Sequence, residues 1–414
     1  MAVFEQIVVV GLGYIGLPTA AAFALAGLQV IGIDCNPRVI EQINQGRSHL
    51  HEPELAQAVL QAVSSGHFYA STEPTFADAF IIAVPTPLQA NHQPDVTAIQ
   101  SAVKSIAPYL RQGNLVVLES TSPVGTTEQL AQWIEKERPD LSIPTDVAVA
   151  YCPERVLPSN IWHELYHNDR VIGGLTPNCT QQAVALYQLF AKGECITTDS
   201  RLAEMCKLTE NSFRDVNIAF ANELSMICDQ LNVNVWELIR IANRHPRVSI
   251  LQPGAGVGGH CIAIDPWFIV AQSEHARLIR TAREVNDSKA FWVIDKIKSC
   301  LAECAVATNR KISDLTLACL GITFKANVSD LRESPALAIT EYFADWHQGK
   351  LWLVEPHIAQ LPASLAEKVE WVDFAQGITA DVVVFLVDHL AFQQHAKRHL
   401  SPTWLVDTRG AWTD

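Results

Sequence analysis

Residues 7 to 34 read "IVVVGLGYIGLPTAAAFALAGLQVIGID". An apolar run ends in a glycine cluster, an alanine-rich stretch follows, and a second apolar run ends on an acid. That order predicts strand, tight turn, helix, strand. Gly11, Gly13 and Gly16 are spaced G-x-G-x-x-G. The first glycine permits the turn, the second lets backbone approach a pyrophosphate, and the third allows close helix–strand packing. Tyr14 and Ile15 complete the turn, and the helix that opens there favours an anion at its N-terminus. Asp34 closes the second strand, where a carboxylate accepts the hydroxyls of an adenosine ribose. Its charge repels a 2′-phosphate, so the stretch reads as a site for NAD rather than NADP, although Arg38 lies close by. The acid in this place weighs against a glycine turn with no ligand.

Outward from this unit the alternation continues: "FIIAVPTP", "LVVLESTSPVG", "DVAVAYCPE", "RVIGG" and "CITT" are separated by amphipathic stretches. Short apolar runs between helices predict a doubly wound parallel sheet over residues 1–198. From Ser200 the pattern changes to a long breaker-free run through Leu231, and helical patterns recur to about residue 310, interrupted by a Gly/Pro-rich loop at 252–266. From residue 311 the alternation returns in "LTLACLGITFKAN", "KLWLVEP", "DVVVFLVDHLAF" and "TWLVDTRG". The expected fold is α/β. Two Rossmann-like doubly wound parallel-sheet domains, 1–198 and 311–414, are joined by a central long-helix domain, 199–310.

The chain of 414 residues carries a net charge of −14, which argues against a general nucleic-acid binder. Its ten cysteines are scattered without a CxxC pair, so no metal is expected; Cys300 and Cys304 read as one helix face. "MAVFEQIVVV" lacks the basic flank and cleavage site of a signal peptide, and no apolar run spans a bilayer. A cytoplasmic protein with no membrane association is expected. The long helices offer a dimerisation surface, with burial inside the monomer an equal reading.

Several strand-end loops carry candidate ligands. Thr86 in "VPTP" and Thr121 and Thr127 in "STSPVGTT" are candidate cofactor or substrate contacts, or simply turn and cap residues. In "CPERV", Glu154 could orient water or a hydroxyl and Arg155 could hold a phosphate, against a plain ion pair. On the long helix Lys207, Asn211 and Arg214 share a stripe. Such a stripe must find partners if buried, and from this helix alone a structural network is the favoured reading.

The decisive loop is "GVGGHCIAIDPWF". Cys261 follows four glycines and precedes Asp265 by one helical turn. A cysteine is often a small buried hydrophobe, yet this loop can bring backbone amides up to a ligand. Beside an NAD site, a thiolate here defines a chemistry: it adds to an aldehyde, the thiohemiacetal gives up a second hydride, and water opens the thioester.

With "VVGLGYIGLPTA", "ESTSPVGTT", "AYCPERVLP", "AEMCKLTENSFRDVNIAFANEL", "ANRHPRV", "GVGGHCIAIDPWF" and "GITFKANVSDLRESP", essentially the whole chain resembles the UDP-glucose/GDP-mannose dehydrogenase superfamily. The resemblance implies an NAD domain, a helical dimerising middle and a UDP-binding α/β domain. It also implies a homodimer whose substrate is a UDP-sugar. Cys261 is then the nucleophile, Lys207 the acid/base or alkoxide stabiliser, and Asn211 an oxyanion donor. Asp265, Thr121 and Glu154 assist water handling. Lys325 meets the nucleotide-sugar and Arg332 braces the cofactor side. Arg155, Val156, Arg214, His245, Arg247 and Gly258 shape the substrate site. Pro158 and His260 depart from the UDP-glucose branch and match the N-acetylhexosamine branch. The implied reaction is four-electron oxidation of the C6 hydroxyl of UDP-N-acetyl-D-mannosamine to the uronic acid, for bacterial surface polysaccharide in the cell envelope. UDP-N-acetylglucosamine or UDP-glucose as substrate, a two-electron hydroxyacid dehydrogenase, and a non-catalytic NAD-binding scaffold are the alternatives.

Overall fold

The computed structural model describes residues 4–50, 52–156, 160–259, 261–396 and 403–410. The chain divides into two compact units, Met1–Glu210 with Trp267–Ser273, and Asn211–Pro266 with Glu274–Asp414.

The first unit is built on eight strands: β1 (Gln6–Val10), β2 (Gln29–Ile33), β3 (Phe68–Ser71), β4 (Ala79–Ile82), β5 (Leu115–Leu118), β6 (Ala148–Tyr151), β7 (Arg170–Gly174) and β8 (Cys195–Asp199). They lie in the order β3-β2-β1-β4-β5-β6-β7-β8. The central strands β1, β4, β5 and β6 read as apolar runs because both faces are covered, whereas the edge strand β8 is largely exposed. Alternate residues serve opposite cores: Ile7, Val9, Ile81 and Val117 on one face, Val8, Val10, Ile82 and Val116 on the other. β1 to β6 are parallel, as expected, but β7 pairs antiparallel with β6, and β8 then runs parallel to β7. The parallel sheet thus ends in a reversed edge pair. An apolar run encodes burial, not direction, so the sequence carried no sign of this reversal.

The second sheet holds β9 (Leu317–Leu320), β10 (Leu351–Val354), β11 (Glu370–Trp371), β12 (Val382–Phe385) and β13 (Leu405–Asp407), all parallel, in the order β11-β10-β9-β12-β13. Its first turn repeats that of the first sheet. Gly11 N–H donates to Ile33 O at 2.7 Å, and Gly321 N–H to Val354 O at 2.8 Å. Leu12 N–H and Asn36 N–H donate to the Asp34 carboxylate, as Ile322 N–H and His357 N–H do to Glu355. The copies differ at the ligand end. Asp34 is partly exposed, whereas Glu355 is buried and also meets His389 Nε2 at 3.2 Å. Thr323 stands where the first sheet has Gly13.

Among the described residues, four α-helices lie between the sheets in sequence: Ser200–Gln230, Val235–Ala242, Asp265–Gln272 and Arg277–Thr308. The last buries two kinds of surface. Arg283, Asn286 and Lys289 are buried near its start, and Val293, Ile297, Leu301 and Cys304 join the core of the second sheet. Among the described residues, no helix is long and apolar enough to cross a membrane.

Candidate active site

In the first unit the glycine turn has the shape a dinucleotide requires. Gly11 sits at φ +93°, and a Cβ on Gly16 would lie 1.8 Å from Gly11 O. A Cβ on Gly13 would meet nothing within 4 Å, so the backbone there faces open space. Tyr14 and Ile15 flank that opening, Tyr14 exposed and Ile15 partly buried. The helix Gly16–Leu25 begins at the same point. These residues fit the pyrophosphate and ribose of NAD: an open amide turn, a helix N-terminus and an acid at the strand end.

The neighbouring strand-end loops are tied together from within. Thr86 Oγ1 donates to Thr121 O at 2.6 Å, which joins two of the candidate loops. Thr127 has a different setting from the one expected of a cofactor contact. It is fully buried, and its hydroxyl and amide donate to Glu204 at 2.7 and 2.8 Å, while Gly125 N–H donates to the other carboxylate oxygen. Its side chain secures the loop rather than facing solvent.

Glu154 is buried and pairs with Arg170 at 3.3 Å. Close to it Glu119 accepts from Thr19 and Tyr187. Burial, and then the like charge of Glu154, push the Glu119 carboxyl up to about 7. Arg170 is also raised: burial opposes its charge, but Glu154 and the surrounding acidic groups outweigh it. Lys207 is buried and donates from Nζ to the backbone carbonyl of Glu154 at 2.7 Å. Arg155 reaches Glu210 at 2.7 Å and Asp169 O at 2.9 Å, and Val156 packs against the core.

In the second unit, Asn211 Nδ2 donates to Asp265 Oδ2 at 2.5 Å, both residues buried. Asp265 N–H donates to Cys261 O at 2.9 Å, so the cysteine sits one turn ahead of this carboxylate. Cys261 is exposed, which removes the reading of it as a small core residue. The glycines before it let the loop press against the segment carrying Lys325 and Arg332. Gly259 N–H donates to Arg332 O at 3.1 Å, and a Cβ on Gly258 would lie 2.3 Å from Glu333 O. Lys325 is partly buried, its carbonyl accepting from Thr323. The Arg332 side chain pairs with Asp330 at 2.7 Å. Two motifs far apart in sequence are thus one structure.

Three other expected members are exposed to solvent. Arg214 is exposed and does not continue the buried stripe; Asp215 takes its place. His245 and Arg247 are exposed, with Arg247 N–H donating to His245 Nδ1 at 3.3 Å. His260 and Pro158 lie outside the described residues.

Sequence reading missed a buried polar column. Arg283 bonds Asp215 at 2.6 Å, Asn286 donates to Asp215 Oδ1 at 2.8 Å, and Asn222 donates to Asn286 Oδ1 at 2.9 Å. Burial pushes the Asp215 carboxyl up despite Arg283. Lys289 lies beside this column, donating to Ser225 at 2.7 Å, and burial lowers its ammonium to about 7. The signal available was the i, i+4 step from Asn211 to Asp215.

Models of the UDP-glucose/GDP-mannose dehydrogenase family match the chain in three stretches: the NAD binding domain at 5–191, the central domain at 201–288 and the UDP binding domain at 318–414. The chain belongs to the UDP-glucose/GDP-mannose dehydrogenase family. It is an NAD-dependent nucleotide-sugar dehydrogenase. The dehydrogenase is 57% identical to UDP-N-acetyl-D-mannosamine dehydrogenase of Yersinia pestis over 99% of both chains. It is 56% identical to NDP-N-acetyl-D-galactosaminuronic acid dehydrogenase of Ralstonia nicotianae, over 99% of this chain and 97% of the other. Its fold is similar to the solved UDP-D-ManNAc dehydrogenase of Pyrococcus horikoshii, with a TM-score of 0.87 and 36% identity over 98% of this chain and 96% of that one. The first of the three stretches is thus the family's NAD binding domain and the last its UDP binding domain.

Proposed function

We propose that the enzyme oxidises the C6 hydroxyl of UDP-N-acetyl-D-mannosamine to the carboxylate in two successive hydride transfers, with Cys261 as the covalent nucleophile. The observation that carries this reading is the exposed thiol at the end of the glycine loop, one turn ahead of an Asp265 already bonded to Asn211. NAD would accept the hydride of each oxidation, one molecule leaving as NADH before a second binds; Gly11, Gly13, Gly16 and Asp34 would hold it, with Tyr14, Ile15, Thr86, Thr121 and Arg332 as further contacts.

In the first oxidation the hydroxyl loses its proton and C6 its hydride, giving an aldehyde. Lys207 and Asn211, one helical turn apart, stabilise the developing oxyanion as positioned donors. The Cys261 thiol then adds across the carbonyl. A sulfur–carbon bond forms, and the proton passes to the oxygen. The thiohemiacetal carbon now carries a hydride that can leave, and loss of the hydroxyl proton gives a thioester. Water adds, the carbon–sulfur bond breaks, and the thiol is restored. Asp265, with Thr121 and Glu154, orients that water. Arg155, Val156, Arg214, His245, Arg247, Gly258 and Lys325 shape the sugar-nucleotide site.

The name of the 57% identical relative supports the mannosamine epimer. The name of the Ralstonia relative, at 56%, supports an N-acetylgalactosamine derivative as a second reading. The purified protein, given NAD and each UDP-sugar in turn, is expected to release two NADH per sugar only with UDP-N-acetylmannosamine. Faster turnover of the galactosamine or glucosamine derivative overturns the epimer and leaves the chemistry. One NADH per sugar contradicts the thioester route.

The product keeps its activated anomeric phosphate, the form that glycosyl transfer consumes. We place the reaction in the cytoplasm, feeding surface polysaccharide of the cell envelope. The three-part division at 1–198, 199–310 and 311–414 separates cofactor, central and UDP-binding functions. A homodimer is proposed through the helix Ser200–Gln230. Phe213, Phe220 and Ile227 recur on it at a heptad spacing and are 67%, 57% and 44% exposed. Phe220→Asp is expected to halve the mass measured by light scattering; an unchanged mass removes this face from the interface.

A further inference from the structure

The loop carrying Cys261 is fastened to one helix at two places. At its end, Asn211 Nδ2 donates to Asp265 Oδ2. At its start, Gly254 N–H donates to Asn222 Oδ1 at 2.9 Å. From 211 to 222 is about three turns of helix, so the two asparagines return to the same face. Only the first of them belongs to the proposed chemistry.

Asn222 is not an isolated anchor. Its Nδ2 donates to Asn286 Oδ1, and Asn286 Nδ2 donates to Asp215, which holds Arg283. Asn222, Asn286, Asp215 and Arg283 are all buried. Each amide therefore has its orientation set by the next group, and the chain of donors ends with an acceptor aimed at the loop. Arg409 NH1 adds a bond to Pro253 O at 3.1 Å, beside the same amide. Among the described residues Asp215 Oδ2 and Arg283 Nε have no partner, but the amides of Asn222 and Asn286 are bonded at both ends, and turning either one over leaves further desolvated groups unpaired.

We propose that Asn222 is a positioning residue for the nucleophile: it carries the order of the Asp215–Arg283–Asn286 cluster to the start of the loop and fixes the path along which Cys261 is presented. This rests on the reading of Cys261 as the nucleophile. The first oxidation needs no thiol, whereas the second, by the proposed thioester route, does. Misplacing the loop therefore acts on the second oxidation, and the aldehyde escapes before it is captured.

The test compares Asn222→Leu, which fills the space and removes both bonds, with Asn222→Asp, which keeps the acceptor for Gly254 N–H. Without substrate, iodoacetamide labelling of Cys261 is followed by peptide mass, with exposed Cys35 as internal reference. Asn222→Leu is expected to change the Cys261 rate at least about threefold and leave Cys35 unchanged. With NAD and UDP-N-acetylmannosamine, kcat should fall about 10–10²-fold, the size of effect a small misplacement produces. NADH per sugar should drop from two towards one, hydroxylamine should trap aldehyde, and KM for NAD should hold. Asn222→Asp, which keeps the bond to Gly254 but has lost the donor to Asn286, should fall between Asn222→Leu and the parent in both readouts. Unchanged labelling and two NADH per sugar in Asn222→Leu overturn the proposal. If that variant does not fold, parent-like labelling of Cys261 and two NADH per sugar in a folded Asn222→Asp overturn the proposal, and altered labelling with aldehyde release there supports it. Cys261→Ala, run in parallel, separates the two claims: two NADH per sugar from that variant defeats the nucleophile reading itself.

Discussion

Asn211 and Asp265 are joined side chain to side chain at 2.5 Å, both buried, with the carbonyl of Cys261 accepting the amide proton of the same aspartate. One helix thus fixes an amide, a carboxylate and the turn that presents a thiol. One turn earlier the same helix holds Lys207, bonded to the Glu154 carbonyl.

In the proposed mechanism, the charge of Lys207 counts most when negative charge grows on the reacting oxygen. Lys207→Ala is expected to lower kcat by about 10²–10⁴-fold, the usual loss for a positioned acid–base group. NAD affinity, measured by calorimetry, should change little. A fall in melting temperature with turnover intact would make the lysine a structural partner of Glu154 and nothing more.

Asp34 accepts from Leu12 and Asn36 and remains partly exposed, and on the proposed reading it also accepts the ribose hydroxyls. Asp34→Ala should weaken NAD binding and narrow the gap between NAD and NADP, because the charge that repels a 2′-phosphate is gone. Equal preference before and after the change would remove Asp34 from cofactor selection.

Glu119 gives stability a pH dependence with a defined sign. Burial raises its folded carboxyl to about 7 from the ordinary 4.5. The folded state holds a proton that the unfolded chain has released, so this contribution is complete below about pH 4.5 and is lost as pH rises through 7. Glu119→Gln removes it. The stability of the variant relative to the parent, from urea unfolding, should rise between pH 5 and 7.5 and then level off. A difference that stays flat across this range contradicts a protonated Glu119.

Much of this architecture is legible in residues 7–34 and in the glycine loop, where local chemistry decides the outcome. A turn that needs Gly11, Gly13 and Gly16 and ends on Asp34 has few other uses. A cysteine after four glycines is poorly placed for a core. What escaped reading depends on partners distant in sequence. Arg214 and Asp215 flank Asn211 on the helical wheel at about 60° and 40°, and only the position of Arg283 on another helix decides that Asp215 is buried. Thr127 looked like a ligand contact until Glu204 claimed its hydroxyl. The internal repeat of the first turn in the second sheet was visible only as similar patterning, because Glu355 and Asp34 share backbone donors rather than sequence.

The most direct test of the account is a count of NADH released per UDP-N-acetylmannosamine by Cys261→Ala beside the parent. The parent should give two, with the uronic acid identified by mass. The variant should give one or fewer in a single turnover, with no acid formed. Two NADH and full acid production from Cys261→Ala would contradict the covalent route.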